Sequence, residues 1–232
     1  MNGTSPEPRW LSFDCFGTLV DWERGIVGVV APLFLRAERT LPYGALLSSY
    51  AELESAAEQP PFRPYREVLR LCMRGLAERF GLPLEPGEED ALADALPGFP
   101  LYADSRDALA RLGRRYRLAV LSNVDRDLFE PVLEALGRPF ACVLTADAIG
   151  AYKPDPRCFT ALLRATGAAP GEILHCAQSR FHDIAPAREA GIRTVWVRRG
   201  RSGPRAVPPS AAVADHVVDS LDDLVQWLGC AP

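Results

Sequence analysis

The chain of 232 residues is 48% hydrophobic and 24% charged, an ordinary balance for a globular protein, which argues against disorder and leaves room for a sizeable core. A formal net charge of −4 with no long basic run makes a nucleic-acid partner unexpected. The longest apolar stretch, Gly25 to Leu35, is broken by Pro32 and falls short of the roughly 18 residues that a membrane span requires.

The N-terminal leader lacks the layout of a secretory signal, and none of the six cysteines falls in a CxxC pair. Reduced thiols in a cytoplasmic protein are therefore expected, rather than a disulfide framework or a zinc site. Trp10 to Phe13 reads as a short strand ending on Asp14, and Gly17 permits a sharp turn behind it. From Trp22 to Phe99 the pattern is helical. Tyr65, Val68 or Leu69, Cys72, Leu76 and Phe80 recur at helical spacing, and prolines from Pro60 to Pro100 divide the stretch.

Beyond Leu101 strands and helices alternate. Asp104 is predicted to cap a helix through Leu112 that Gly113 stops; Leu118 to Leu121 is a strand, and Pro131 suits the first turn of a helix ending near Gly137. Ala141 to Thr145 is the next strand, and Asp155 with Pro156 opens a helix that Gly167 ends. Ile173 to Ala177 and Thr194 to Val197 are strands flanking a helix closed by Gly191, and Ser220 with Asp223 forms a capping box for a final helix through Leu228. This order predicts an α/β fold: a doubly wound, Rossmann-like parallel sheet with an all-helical cap inserted after the first strand. Residues 1–21 and 101–232 are expected to form the core and residues 22–100 the cap.

Asp14, Ser122, Lys153 and Asp183 stand at or just past strand ends, and the last three recur about 30 residues apart, the length of one βαβ unit. Equivalent points on parallel strands share one sheet edge, where open α/β sheets bind ligands. Taken singly each could be structural, a turn residue or a solvated charge; the shared spacing favours one crevice. A carboxylate fixed beside Gly17 and Thr18 can act there as a nucleophile, forming an ester or acyl phosphate. Lys153 would orient Asp14 and keep it ionised, while Ser122, Asn123 and Thr18 supply neutral donors for an anionic group or oxyanion. Asp183 would activate the hydrolytic water or hold magnesium. His175, His182 and His216 lack metal-ligand spacing; His175 reads as core, and His182 stays open as a supporting group beside Asp183.

The segments FDCFGTLVDW, LSNVDR, AYKPDP and HCAQSRFHDIAPAREAGI resemble, in order, the four motifs of the haloacid dehalogenase superfamily of aspartate-nucleophile hydrolases. The resemblance spans essentially the whole chain. It implies that Asp14 is the nucleophile, that Thr18 and Ser122 bind the substrate's anionic group, and that Lys153 and Asp183 are the family's lysine and late acidic residue. Phosphatases of the superfamily carry a second Asp where this chain has Phe16, and usually an acidic residue where it has Gln178. An aromatic at position 16 with a neutral fourth-motif start is similar to the L-2-haloacid dehalogenases, which attack carbon without a metal. DWE, SNVDR, YKP and HD are also similar to a relative that opens the ring of L-azetidine-2-carboxylate. Phe16 and Gln178 are accordingly expected on the substrate side. The dehalogenases also place an Arg early in the cap for the halide; Arg36, Arg39, Arg63 and Arg66 are the candidates here, each alternatively a solvated charge.

The resemblance thus implies a hydrolase in which Asp14 attacks carbon of a small carboxylic acid through a covalent ester, displacing halide or a strained amine, with no cofactor required. The alternatives are a magnesium-dependent small-molecule phosphatase, with Asp14 and Asp183 on the ion, and a non-catalytic ligand-binding protein. A small-molecule substrate is the expected partner, without nucleic acid or membrane; a homodimer stays open.

Overall fold

A computed structural model describes residues 7–200 and 205–230. Its sheet contains β1 (Trp10–Phe13), β2 (Arg117–Ser122), β3 (Cys142–Thr145), β4 (Ile173–Ala177), β5 (Arg193–Val197) and β6 (His216–Val218), in the order β3-β2-β1-β4-β5-β6. Every pairing is parallel. Helices cover both faces, so β1 and β4 are buried along their whole length and read as continuous apolar runs rather than alternating ones. Successive residues still point to opposite faces. Leu11, Phe13 and Val120 join one apolar cluster; Trp10, Ala119 and Leu121 join a second with Phe159 and Leu162.

Between β1 and β2 the chain forms α1 (Trp22–Arg36), α2 (Tyr43–Ala57), α3 (Tyr65–Phe80) and α4 (Ala91–Ala95). Asp21 caps α1, its carboxylate accepting from Arg24 N at 3.2 Å, and α1 runs on through Pro32. α3 follows the predicted periodicity, burying Tyr65, Val68, Leu69, Cys72 and Leu76, and stops at left-handed Gly81. The chain leaves and rejoins the sheet at adjoining points, where Val20 bridges Leu101 and Asp21 N donates to Pro100 O at 2.7 Å.

The remaining helices are α5 (Ser105–Leu112), α6 (Arg126–Ala135), α7 (Ala146–Ile149), α8 (Pro156–Thr166), α9 (Ala185–Glu189) and α10 (Leu221–Trp227). Asp155 caps α8 and the Ser220–Asp223 box opens α10, as predicted. Two local expectations need correction. Asp104 precedes α5 without capping it, because its carboxylate is taken by the Arg199 guanidinium and by Leu221 N. Pro131 lies inside α6, not in its first turn; the helix already starts at Arg126, and Asp125 ahead of it turns its carboxylate to Tyr65 N. The helix after β4 opens with a π-helical turn, Arg180–Ile184, that leads into α9. The short elements α7 and β6 were not predicted from sequence. All six cysteines are free, four of them buried, and no helix among the described residues is long and apolar enough to cross a membrane.

Candidate active site

Phe13 lies opposite Val120 of β2 and Cys176 of β4, so Asp14 emerges at the carboxyl edge between two neighbouring strand ends. Behind it the chain reverses at Gly17, whose φ of +96° is a conformation that favours glycine. The turn brings Thr18 back to Asp14, and Thr18 Oγ1 donates to Asp14 Oδ2 at 2.6 Å while accepting from Gln178 N at 2.9 Å. The other carboxylate oxygen, Oδ1, accepts from Lys153 Nζ at 2.8 Å.

Lys153 Nζ makes two further bonds, to Asp183 Oδ1 at 2.7 Å and Leu121 O at 3.0 Å, so all three of its protons are engaged. Asn123 fixes the lysine backbone, accepting from Lys153 N at 2.7 Å and donating to Lys153 O at 3.1 Å. The π-helical turn, capped by Ser179 Oγ on His182 N, carries Asp183. His175 stands behind it, its Nε2 3.0 Å from Asp183 Oδ1 and its Nδ1 2.8 Å from Ser12 Oγ. An ionised carboxylate only accepts, so Nε2 carries the ring proton and Ser12 donates to Nδ1. His175 is fully buried, as its apolar context suggested, but it also orients Asp183.

Asp14, Phe16, Ser122, Asn123, Lys153 and Asp183 all line one cavity of about 40 Å³. The helices between β1 and β2 close it with Trp22, Glu54, Glu58 and Tyr65. Two expected substrate residues lie elsewhere. Thr18 does not line the cavity, because its hydroxyl is engaged with Asp14; Gln178 faces an adjoining open groove of about 940 Å³ beside Arg180 and Trp196. Asn123 reaches the cavity, but its amide is committed to the Lys153 backbone and, at 3.1 Å, to Glu58 Oε1. None of the candidate arginines lines the cavity: Arg36 pairs with Glu88, Arg39 donates to Phe80 O, Arg63 to Ala57 O, and Arg66 pairs with Asp94.

Burial and the charge of Asp183 raise the Asp14 carboxyl above its ordinary value against the lowering by Lys153. Lys153 does orient Asp14 and favours its ionised form, as expected of it, while burial and Asp183 act the other way. For Asp183 burial acts upward too, but Lys153 and His175 together outweigh it and hold the group down to about 2. Lys153 is raised by its two carboxylates despite its own desolvation. Burial pushes His182 down to about 4, so its ring is neutral at neutral pH. Glu54 is pushed up to about 7 by burial, even though Tyr65 and Tyr50 donate to it at 2.6 Å and 2.8 Å. Glu58 is raised well above its ordinary value by burial and then by Glu54.

The site does not fit magnesium. The ion takes octahedral oxygen ligands, one or two carboxylates among them, yet Asp14 Oδ1 and Asp183 Oδ1 both face the Lys153 ammonium and Asp14 Oδ2 accepts from Thr18. Phe16 contributes no ligand, Gln178 faces the open groove, and no cluster of three or more His, Cys, Asp or Glu among the described residues could hold a metal.

A parallel sheet here presents a lysine-bridged pair of buried aspartates at its strand ends, under a helical segment, the α/β arrangement in which ligands bind at the carboxyl edge. The sequence profile described as haloacid dehalogenase-like hydrolase matches residues 8–191, and the chain belongs to that family, as an enzyme of the superfamily. It is 26% identical over 218 residues to (S)-2-haloacid dehalogenase 4A of Burkholderia cepacia, covering 91% of each chain. It is 37% identical over 141 residues to phosphoserine phosphatase of Thermus thermophilus, but that match spans only 59% of this chain and 56% of the relative. A crystal structure of an L-2-haloacid dehalogenase superposes with a TM-score of 0.78 at 26% identity, covering 97% of this chain and 100% of the other.

Sequence reasoning missed Ser12, Tyr50, Glu54, Glu58 and Tyr65. A signal was present for Glu54, which falls on the apolar stripe of Leu47, Tyr50 and Ala57 along α2, where a solvated glutamate is out of place.

Proposed function

We propose that this hydrolase uses Asp14 to attack an sp³ carbon of a small carboxylic acid, displacing halide or a strained amine, with residues 22–100 as a cap over a core of residues 1–21 and 101–232. The observation that carries the reading is the pairing of a Lys153-anchored Asp14 with Phe16 where phosphoryl transfer would need an acid. In the first step a carboxylate oxygen of Asp14 bonds to carbon, and the electron pair of the breaking bond leaves with the displaced group. Water then attacks the carbonyl carbon of the Asp14 ester, releasing the hydroxy acid and leaving one water-derived oxygen in the carboxylate. Asp183 Oδ2, which has no hydrogen-bond partner among the described residues, accepts from that water. With its proton affinity held low, Asp183 orients the water more than it retains a proton. Ser122 and backbone amides hold the substrate carboxylate. The reaction requires no cofactor, and a cytoplasmic setting with six reduced thiols belongs to the same reading.

The test is single-turnover hydrolysis in H₂¹⁸O across 2-haloacids, azetidine-2-carboxylate and phosphomonoesters, with and without EDTA. Label should enter Asp14, activity should survive EDTA, and Asp14→Asn should lower kcat by at least about 10³-fold, because an amide cannot form the ester. Label found in product alone overturns covalent attack. Phosphomonoester turnover lost to EDTA establishes instead the magnesium-dependent phosphatase that the phosphoserine phosphatase relative suggests.

A further inference from the structure

The cavity beside Asp14 is lined by four carboxyl groups, those of Asp14, Glu54, Glu58 and Asp183, against one ammonium. Its one ammonium, Lys153 Nζ, already makes three hydrogen bonds. From the opposite wall come two carboxylates of the α2 segment: Glu54, 6% exposed, and Glu58, whose side chain is 6% exposed. Both tyrosine hydroxyls donate to the same oxygen, Glu54 Oε1, and Oε2 takes no hydrogen bond among the described residues. Glu58 Oε1 accepts from Asn123, and Oε2 stands 4.0 Å from His182 Nε2, too far for a hydrogen bond.

A second, independent observation lies on the sheet side. His182 Nε2 and Asp183 Oδ2 are buried polar atoms with no partner among the described residues, and both residues line this cavity. The Asp183 side chain is 1% exposed and that of His182 10%. Leaving such atoms unsatisfied is costly; the hydrolytic water completes Asp183 Oδ2, and His182 Nε2 points to a ligand group. A neutral imidazole can accept through Nε2, and a carboxylate only accepts. The atoms left over on both walls therefore call for a donor.

We infer that Glu54, Glu58 and His182 form a subsite for a cationic ammonium group, so that the substrate is a small carboxylic acid bearing an amine. The inference rests on the proposed substrate cavity beside Asp14 and narrows its substrate class. A halide would meet two carboxylates there and no arginine. An ammonium would meet matched acceptors, and it would take the place of the protons that burial otherwise retains on the two glutamates.

The probes are 3-aminopropionate and propionate, which differ only in the ammonium and cannot react. They are titrated by calorimetry into the full-length protein and into Glu54→Gln and Glu58→Gln, with folding of each variant checked by thermal melting. Wild type should bind 3-aminopropionate about 10-fold or more tightly than propionate, and each substitution should cut that ratio at least about fivefold. A wild-type ratio of one or less overturns the subsite, as does binding of neither probe, a ratio that survives both substitutions, or displacement of the amine by millimolar magnesium. If a variant fails to fold, the wild-type ratio decides alone. Because no bond is broken, loss of this preference is distinguishable from failure of the ¹⁸O test, which concerns Asp14 chemistry.

Discussion

Lys153 supplies one positive charge to two buried aspartates, and the division between them is unequal. Asp183 has His175 as a second donor and stays ionised; Asp14 has the neutral Thr18 hydroxyl and carries the burden of burial. The acid limb of kcat/KM therefore belongs to Asp14 and should lie above the range of an unperturbed aspartate. Glu54 adds a pH dependence of stability. Its folded-state value of about 7 exceeds the 4.5 of an unperturbed glutamate, so the protonated group favours the fold below pH 4.5, and this contribution is lost as pH rises through 7. The full difference is about 3 kcal/mol. Glu54→Gln keeps an acceptor for the tyrosines and removes the titration. Urea unfolding of the ligand-free protein at pH 5 and pH 8 should show the variant gaining on wild type at the higher pH by an amount of that order; parallel losses in both proteins would refute the assignment.

Helix α1 owes its position to the absence of a side chain. A Cβ on Gly25 would lie 2.2 Å from the Phe99 ring, which packs 5.3 Å from Trp22, and Trp22 lines the cavity. Gly25→Ala should cost about 1–3 kcal/mol through overpacking, read as a lower urea midpoint, and should raise KM through displacement of Trp22. The larger elements were legible in the sequence because their signals agree: apolar runs for β1, β2, β4 and β5, and cap plus glycine stop for α8. β6 has three residues and α7 four, too few to establish a period. Pro131 misled because a proline inside a helix looks like one that starts it, and the better marker, Asp125, serves Tyr65 instead. In the site, Ser122, Lys153 and Asp183 were readable from βαβ spacing and Asp14 from its place at the end of the first strand. Glu58 and Tyr65 were not, because their part depends on how α2 and α3 lie across the sheet edge, and Glu54 showed only as a charge on an apolar stripe.

Arg199 ties distant parts of the molecule together. Its guanidinium donates to Thr18 O at 2.7 Å and to both oxygens of Asp104 at 2.7 Å and 2.8 Å, stacks 4.1 Å from the Tyr102 ring, and through Asp104 reaches Leu221 N. The Asp14 turn, the return point of the helical segment and the start of α10 thus share one fastening. Asp104→Asn would leave a guanidinium whose side chain is only 4% exposed without its counter-charge, and should lower stability by about 3 kcal/mol in urea unfolding; a loss below about 1 kcal/mol would show the pair to be peripheral. The sheet order bears also on how the molecule is made. β1 pairs only with β2 and β4, and Ser12 meets His175 across a separation of 163 positions. During synthesis β1 leaves the ribosome ahead of both its neighbours and meets β4 only after the residues between them have followed. The α2–α3 hairpin can form locally in the meantime. Until β4 arrives, β1 has at least one bare edge, open to pairing with another nascent chain, so contact order leaves the strand that carries Asp14 at its end exposed to aggregation during folding.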